Sequence, residues 1–560
     1  MRNIHKNINK AIVMALVITL SLVFAGCEEA KTEAEIEPTT ETIELQILAT
    51  SDMHGRFMPY NYIFDEEDLS GSCAQIATAV NELRNENTIV VDAGDIIQDN
   101  SAELFLNDEM HPMMLAMNDI QYDVWTTGNH EYNFGMDVLK RIIPQNSGEL
   151  ICGNVYDPDG ERLAPAYTII ERNGVKVGII GMVTPNIQRW DETNLAGYTI
   201  TDPVEETKNA IKELEGKVDV LIALDHMDVN NELDVSGSGV EDLANACPEL
   251  DLIIAAHGHK MIDDLTINGV PIIENKNYAE TLGQILIDLT KTDEGWEVNT
   301  VSTKVLMMED YLADEDMVTE LTPYHERAIE DAHTVYGHLN GEYMADPEMV
   351  NGVPAAVLED TPFVELLNNM LLYYSEADVS ATILCTEDAN IYGSEIRKCD
   401  IYRAYKFPNY ICTVQMTGSQ LKKLLEYNAA YYNTYKEGDE FVSVDENYAI
   451  YLYNMFSGIN YDINISKEAG ERIENLTWPD GSEVLDDDIF TLATNNYYAG
   501  SYLTNPGPIY EEGDMPIMLE NNVRSDIGGI QELLTDYIVN VMDGEINLEV
   551  DNNWKLTGML

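Results

Sequence analysis

The sequence is short of positive charge, of clustered cysteine and of long apolar runs, and each shortage removes a class of protein. Lys and Arg together number 31 against 100 Asp and Glu, a formal net charge of -69 at pH 7. A surface of that sign repels a nucleic-acid polymer, whose binding depends on cationic side chains meeting phosphates. Small phosphorylated molecules stay admissible, because surface fields are screened within about 8 Å at physiological salt and a bound metal inverts the sign locally. The 7 cysteines are scattered without any C-x-x-C spacing, which argues against a thiolate metal site. Apart from Cys27, they read equally well as bridges or as small buried hydrophobes. After Val23, no stretch approaches the ~20 apolar residues that a membrane helix needs.

The chain opens "MRNIHKNINKAIVMALVITLSLVFAGC", a basic start, an apolar stretch from Ala11 to Val23, then small residues before a cysteine. This is a targeting segment, and "FAGC" resembles a bacterial lipoprotein processing site, with Phe24 where Leu is commoner. Residues 1–27 are read as a lipoprotein signal peptide with Cys27 as the lipidation site, and residues 28–43 as an acidic tether. That order predicts an extracytoplasmic protein, anchored to the bacterial cell membrane by its N-terminal lipid alone.

The remaining chain is long for one hydrophobic core, and its 45% hydrophobic and 23% charged residues are ordinary for globular protein. Over 44–304, β-branched runs such as "LQILAT", "TIVVDAGD", "VKVGIIGMVT", "VDVLIALDH" and "LDLIIAAHGH" alternate with helix-like stretches. Ile76, Ala77, Val80 and Leu83 fall at helical spacing within one of those stretches. The alternation predicts a layered α/β domain with mostly buried strands. Residues 305–334 are helix-like and acidic, with Pro323 as a local breaker, and read as a linker helix and hinge. From 335 to 560 the composition moves toward Tyr and Asn, and a second α/β domain is expected, including an amphipathic helix with Leu421, Leu424 and Leu425 on one face.

Five polar motifs directly follow strand-like runs of the first domain: "SDMHG" with Asp52 and His54, "DAGDIIQ" with Asp95, "TTGNHEYN" with Asn129 and His130, "ALDHMD" with His226, and "AAHGHK" with His257 and His259. Ligand sites of α/β sheets lie beyond the carboxyl ends of the strands, so these tails are expected to converge. A single histidine after a strand is an ordinary structural residue; half of the 10 histidines falling in such motifs is not. Imidazole and carboxylate suit two divalent ions, zinc, manganese or similar, and a pair roughly 3.5–4 Å apart would clamp a phosphate and activate water. In extended backbone, residues two apart face the same way, so Asp52 with His54, and His257 with His259, are each expected to aim at one pocket.

The ordered set D-x-H, GD-x-x-Q, GNHE, a lone H and H-x-H resembles the calcineurin-like metallophosphoesterases. Beyond it, "HPMMLAMNDIQYDVWTTGNHEYNFG", "FPNYICTVQMTG", "SGINYDINI", "RIENLTW" and "ATNNYYAG" resemble the two-domain 5'-nucleotidase family. The resemblance implies an αββα-type sandwich followed by an α/β substrate domain that rotates against it. It implies that Asp52, His54, Asp95 and His259 hold one metal, and that Asn129, His226 and His257 complete a second site with the bridging Asp95. His130 would stabilise charge on the phosphoryl group or leaving oxygen. Asn133 stands where 5'-nucleotidases usually carry Asp, and the 2',3'-cyclic-nucleotide 2'-phosphodiesterase/3'-nucleotidase branch resembles this chain in having Asn. Phe407, with Asn409 beside it, and Tyr497 match the base-binding positions, Tyr498 being the rival of the latter. The implied activity is hydrolysis of 2',3'-cyclic nucleotides and 3'-nucleotides in nucleotide catabolism. A 5'-nucleotidase or nucleotide-sugar hydrolase is the alternative within enzymes, and a non-catalytic nucleotide-binding or adhesive surface lipoprotein the alternative outside them.

Overall fold

Apolar residues along the strands of the first half alternate between two destinations, and that alternation builds its layers. In the strand Thr42–Thr50, Leu45, Ile47 and Ala49 enter one core while Leu48 enters another. Ile222 and Leu224 are likewise separated from Leu221 and Ala223 in Val220–His226. Successive side chains of a strand point to opposite faces, so each strand is buried twice and must be covered on both sides.

The computed structural model describes residues 41–559, apart from 193, 233–234, 294, 341–348, 408, 446–447 and 548. Residues 1–40, including Cys27 and most of the tether, lie outside the described residues. Two six-stranded sheets form the first half. One runs in the order Gly295–Met307, Thr281–Thr292, Thr42–Thr50, Thr88–Asp92, Val124–Trp125, Glu149–Leu150. The other runs Ile262–Ile267, Val270–Glu274, Leu252–Ala255, Val220–His226, Val175–Val183, Tyr167–Arg172. The strands from Thr42–Thr50 to Glu149–Leu150 pair in parallel, as do those from Val175–Val183 through Val220–His226 and Leu252–Ala255 to Val270–Glu274.

Between the sheets lies an aliphatic core that includes Ile47, Val91, Ile179, Ile222, Ile254 and Ile287. Helices Cys73–Leu83, Pro112–Ile120 and Met136–Ile142 cover the outer face of the first sheet, and Pro203–Leu214 and Val240–Ala246 that of the second. Their starts are capped locally: Ser72 accepts from Gln75 N, and Asp202, ahead of Pro203, accepts from Val204 N. The expected αββα sandwich is present.

The second half has its own core around a five-stranded sheet ordered Asn454–Ser457, Val379–Ile383, Ile489–Asn495, Ile411–Thr417, Ile517–Glu520. Helix Gly418–Ala429 starts at a capping box between Thr417 and Gln420 and buries Leu421, Leu424 and Leu425, as its sequence pattern requires. The connecting segment differs from expectation at Pro323, which breaks nothing and lies inside one helix, Glu315–Ala332. A proline removes one helical hydrogen bond, but Met317 and Leu321 before it and Ala328 and Ala332 after it are all anchored in the first half's core. The chain passes to the second half's strand Val335–Leu339 directly after this helix. All six described cysteines are buried and free, so no disulfide bridges join them.

Candidate metal centre

The five motifs meet because the parallel strands that carry them end at one rim. Thr50 pairs with Asp92, and Asp92 with Trp125, while His226 is the last residue of its strand, beside Val183. Backbone bonds extend that pairing into the loops: Asp52 N donates to Gly94 O at 2.8 Å and His54 N to Asp95 O at 3.0 Å. The loops are not extended, contrary to the basis on which Asp52 with His54, and His257 with His259, were expected to pair. Asp52, His54, Asp95, His257 and His259 all have positive φ, between 42° and 73°. Left-handed backbone is what turns each side chain inward just past its strand, at about 1–3 kcal/mol per non-glycine residue.

Two glycines make the crowding sterically feasible. A Cβ on Gly94 would lie 2.2 Å from Gly128 N, and one on Gly128 would lie 2.1 Å from Asp95 Oδ1. Glu131, which the sequence reading passed over, ties the same loops together. Fully buried, its carboxylate accepts from the backbone N–H groups of Asp95 at 2.9 Å, Ile96 at 2.7 Å and Gly128 at 2.6 Å. Its place between His130 and Tyr132 in a crowded polar loop was the available signal.

Asp52, His54, Asp95 and His259 bring one ligand atom each within 4.8 Å of one another, and Asp95, His226 and His257 do the same. Asp95 belongs to both groups. Asn129 joins the second, its Oδ1 3.1 Å from His226 Nε2. His226 Nδ1 is held by Ala93 O at 2.7 Å and His257 Nε2 by Glu232 at 3.0 Å, the kind of outer partner that orients a ligating imidazole. Two features fit the set to cations. Asp95 Oδ2 is buried with no hydrogen bond, and His54 Nε2 and His259 Nε2 converge to 3.2 Å, an arrangement that a shared ion between lone pairs satisfies. Two carboxylates, four imidazoles and an amide oxygen suit two divalent ions of the zinc or manganese kind.

The electrostatics agree. Burial would lower His226, but Asp95 and Asp52 outweigh it and push it up to about 10. Burial would raise Asp95, yet His226 and His130 hold it well below the usual carboxylate range. Burial dominates at His54 and lowers it, leaving a neutral, ligand-ready ring.

His130 stands beside this cluster, its Nε2 4.0 Å from Asp95 Oδ2 and its Nδ1 2.6 Å from Asn133 Oδ1. It lines a cavity of about 650 Å³ together with His54, His259 and Tyr278 from the first half and Lys398, Tyr402, Lys406 and Tyr410 from the second. Phe407, Asn409 and Tyr497 are not among that cavity's lining residues. They lie at the adjoining end of the second half's sheet, where Ile411 pairs with Asn495 and Tyr410 N donates to Asn496 Oδ1 at 2.9 Å. Tyr497 is 48% exposed, whereas its rival Tyr498 is a core residue stacked on Tyr502. Asn409 is buried, its carbonyl accepting from Ile530 N at 2.8 Å and its side chain pairing with Tyr405.

Residues 45–261 match the family Calcineurin-like phosphoesterase, and residues 336–502 match 5'-nucleotidase, C-terminal domain. The chain thus carries, in order, the calcineurin-like phosphoesterase domain and the C-terminal domain that together make up 5'-nucleotidases. Calcineurin-like phosphoesterases are phosphoric ester hydrolases that use two divalent metal ions, and the two buried Asp/His groups here suit such a pair. The chain is 27% identical to the trifunctional nucleotide phosphoesterase protein YfkN of Bacillus subtilis over 93% of its own length, and spans only 39% of that relative's length. It is 25% identical to the 2',3'-cyclic-nucleotide 2'-phosphodiesterase/3'-nucleotidase of Salmonella typhimurium, over 92% of this chain and 89% of that one. The 5'-nucleotidase precursor of Thermus thermophilus shares the fold, with TM-score 0.52 at 17% identity over 92% of this chain and 100% of that one.

Replacing Glu131 by Ala leaves buried N–H groups of two loops without their acceptor. Metal affinity is expected to fall roughly ten- to hundredfold, read as metal bound per chain at equilibrium dialysis, together with a lower Tm. In metal-stripped protein the sign of the His226 shift sets a pH dependence. Its folded value, about 10, lies above the ordinary 6.5, so the stability from its pairing with Asp95 is complete below about pH 6.5 and lost as pH rises through about 10. The unfolding free energy of stripped wild type should therefore fall between pH 7 and 10 in denaturant titrations, and H226Q should lose most of that slope.

Proposed function

We propose that the protein hydrolyses nucleotide phosphoesters, opening 2',3'-cyclic nucleotides to 3'-nucleotides and then releasing nucleoside and phosphate. The observation that carries this reading is one cavity in which His54, His130 and His259 face residues of the second half. A nucleotide has two ends of unlike chemistry, and such a cavity can hold its phosphate against the cluster while the base reaches the second half. Tyr410 lines the cavity three residues from Phe407, which supports assigning base stacking to Phe407 and Tyr497, with Asn409 fixing the Phe407 loop. Stacking contributes about 1–3 kcal/mol per base and tolerates any base. Asn133 in place of an aspartate favours the cyclic-nucleotide branch over 5'-nucleotidases.

In this reading Asp52, His54, Asp95 and His259 hold one ion, and Asp95, Asn129, His226 and His257 the other. When bound, the two ions supply an activated water and neutralise charge at phosphorus. His130, outside both sets and lining the cavity, steadies the phosphoryl oxygens and places a proton on the ribose oxygen as its bond to phosphorus breaks. Tyr278, held by Asp99 at 2.8 Å, and His54 close the first-half wall of the cavity beside it.

We place this activity outside the cytoplasm, with Cys27 as the lipid attachment point. What supports this reading is the basic and apolar start of the chain ending in "FAGC"; among the described residues no helix is long and apolar enough to cross a membrane. C27S should move the protein from the membrane pellet to the soluble fraction on cell fractionation; an unchanged pellet would refute the anchor.

With zinc or manganese supplied, the enzyme is expected to turn over 2',3'-cyclic AMP and 3'-AMP faster than 5'-AMP, measured as nucleotide and phosphate release. A strong preference for 5'-AMP would overturn the cyclic-nucleotide assignment, and nucleotide binding without turnover of any of the three would favour a binding lipoprotein. D95N, which alters the carboxylate common to both groups, should lower kcat by roughly 10³ or more.

A further inference from the structure

We propose that Asp191 is a positioning residue for His130, acting through Asn133, so that a three-residue relay stands in for a direct histidine–carboxylate pair. This inference rests on the hydrolase reading of the same site. Asn133 lacks a charge, and by itself its amide gives His130 no fixed tautomer: either end of the amide could face the ring. The structure removes that freedom. Asn133 Nδ2 donates to Asp191 Oδ2 at 3.1 Å and approaches Oδ1 at 3.3 Å, while Asn133 Oδ1 faces His130 Nδ1 at 2.6 Å.

An ionised carboxylate only accepts. Turning the Asn133 amide over would press its oxygen against Asp191 and its NH₂ against the imidazole, so Asp191 dictates the amide's direction. Oδ1 in turn only accepts, which places a proton on His130 Nδ1 and leaves Nε2 as the ring nitrogen on the side of Asp95. The His130 side chain is 32% exposed, open to the cavity, whereas Asp191 is buried. Asn194 holds the relay's far end, its Nδ2 donating to Asp191 Oδ1 at 3.1 Å and to Asn133 O at 2.8 Å. Asp191 follows the short helix Ile187–Trp190 and lies 58 positions from Asn133, so the pairing exists only in the folded chain.

The rival account is that Asp191 merely staples its turn to the Asn133 loop. A mutant cycle on the full-length, zinc-loaded enzyme with 2',3'-cyclic AMP tests the coupling, and the tautomer of His130 separates the two accounts. D191A is expected to lower kcat roughly ten- to hundredfold, with KM within about twofold and zinc content unchanged; D191N lowers kcat less, since its Oδ1 can still accept from Asn133. In the N133D background a carboxylate meets His130 directly and Asp191 becomes a like-charged neighbour at hydrogen-bonding distance. There D191N is expected to raise kcat by removing that repulsion, which shows that the effect of Asp191 runs through residue 133.

A second readout does not depend on turnover. With ¹⁵N-labelled histidine, the wild-type enzyme should show a His130 Nδ1–H signal that disappears, or exchanges rapidly with water, in D191A. The relay is overturned if D191A keeps kcat within about twofold and retains that signal, or if loss of Asp191 has the same proportional effect in both backgrounds. If wild type hydrolyses no nucleotide, the hydrolase reading fails instead, and the Nδ1–H signal alone decides whether Asp191 orients the ring.

Discussion

Asp95 is the carboxylate on which the rest of the structure converges. It is buried, it belongs to both candidate ligand groups, and one of its oxygens has no hydrogen bond. A buried anion in that state is costly unless positive charge meets it. The features around it supply that charge or hold the anion in place: His226 and His130 beside its oxygens, and Glu131 gripping its backbone N–H. The left-handed turns at the strand ends cost several kcal/mol together. They are offset by the aliphatic core between the sheets, where each fully buried side chain contributes about 1.5–3 kcal/mol. The rigid sandwich is thus the device that keeps a strained, charge-crowded rim in one geometry.

In the proposed function the two halves divide the labour of recognising a nucleotide. Their hydrophobic cores are separate, with Cys399 the one described second-half residue packed into a first-half cluster. Polar contacts tie them together near the cavity: Asp65 of the first half meets Arg397 at 3.1 Å, and Asp331, on the helix packed into the first half, meets Lys398 at 2.6 Å. Such contacts exchange readily with water, unlike a continuous apolar core. A cavity bounded by such an interface suits a substrate that must enter, be hydrolysed and leave.

His130 illustrates how a missing charge is handled at a distance. A direct aspartate neighbour would fix its proton and share its burial; an asparagine leaves both jobs undone. Setting Asp191 one amide further back restores direction without placing another carboxylate against the crowded centre, where Asp95 and Asp52 already lie.

Much of the fold was legible in the sequence because strand periodicity and strand-end motifs are local. Leu45, Ile47 and Ala49 against Leu48 announce a doubly covered strand, and D-x-H, GNHE and H-x-H name candidate ligand atoms whatever the rest of the chain does. The backbone that aims those ligands was not legible: five left-handed residues are stabilised by neighbours from other strands, and the extended geometry expected from spacing alone was wrong. Pro323 likewise reads as a breaker locally and is overruled by side chains that lock both ends of its helix into the core. Glu131 and Asp191 were missed for different reasons, the first because a buried carboxylate looks like any loop acid, the second because nothing near it in sequence marks its partner. The sequence by itself determined which chemical groups are present and in what order along the strands. Only the tertiary structure decided which of them come within 4.8 Å of one another and which carboxylate stands behind Asn133 and His130, because those depend on contacts between residues far apart along the chain.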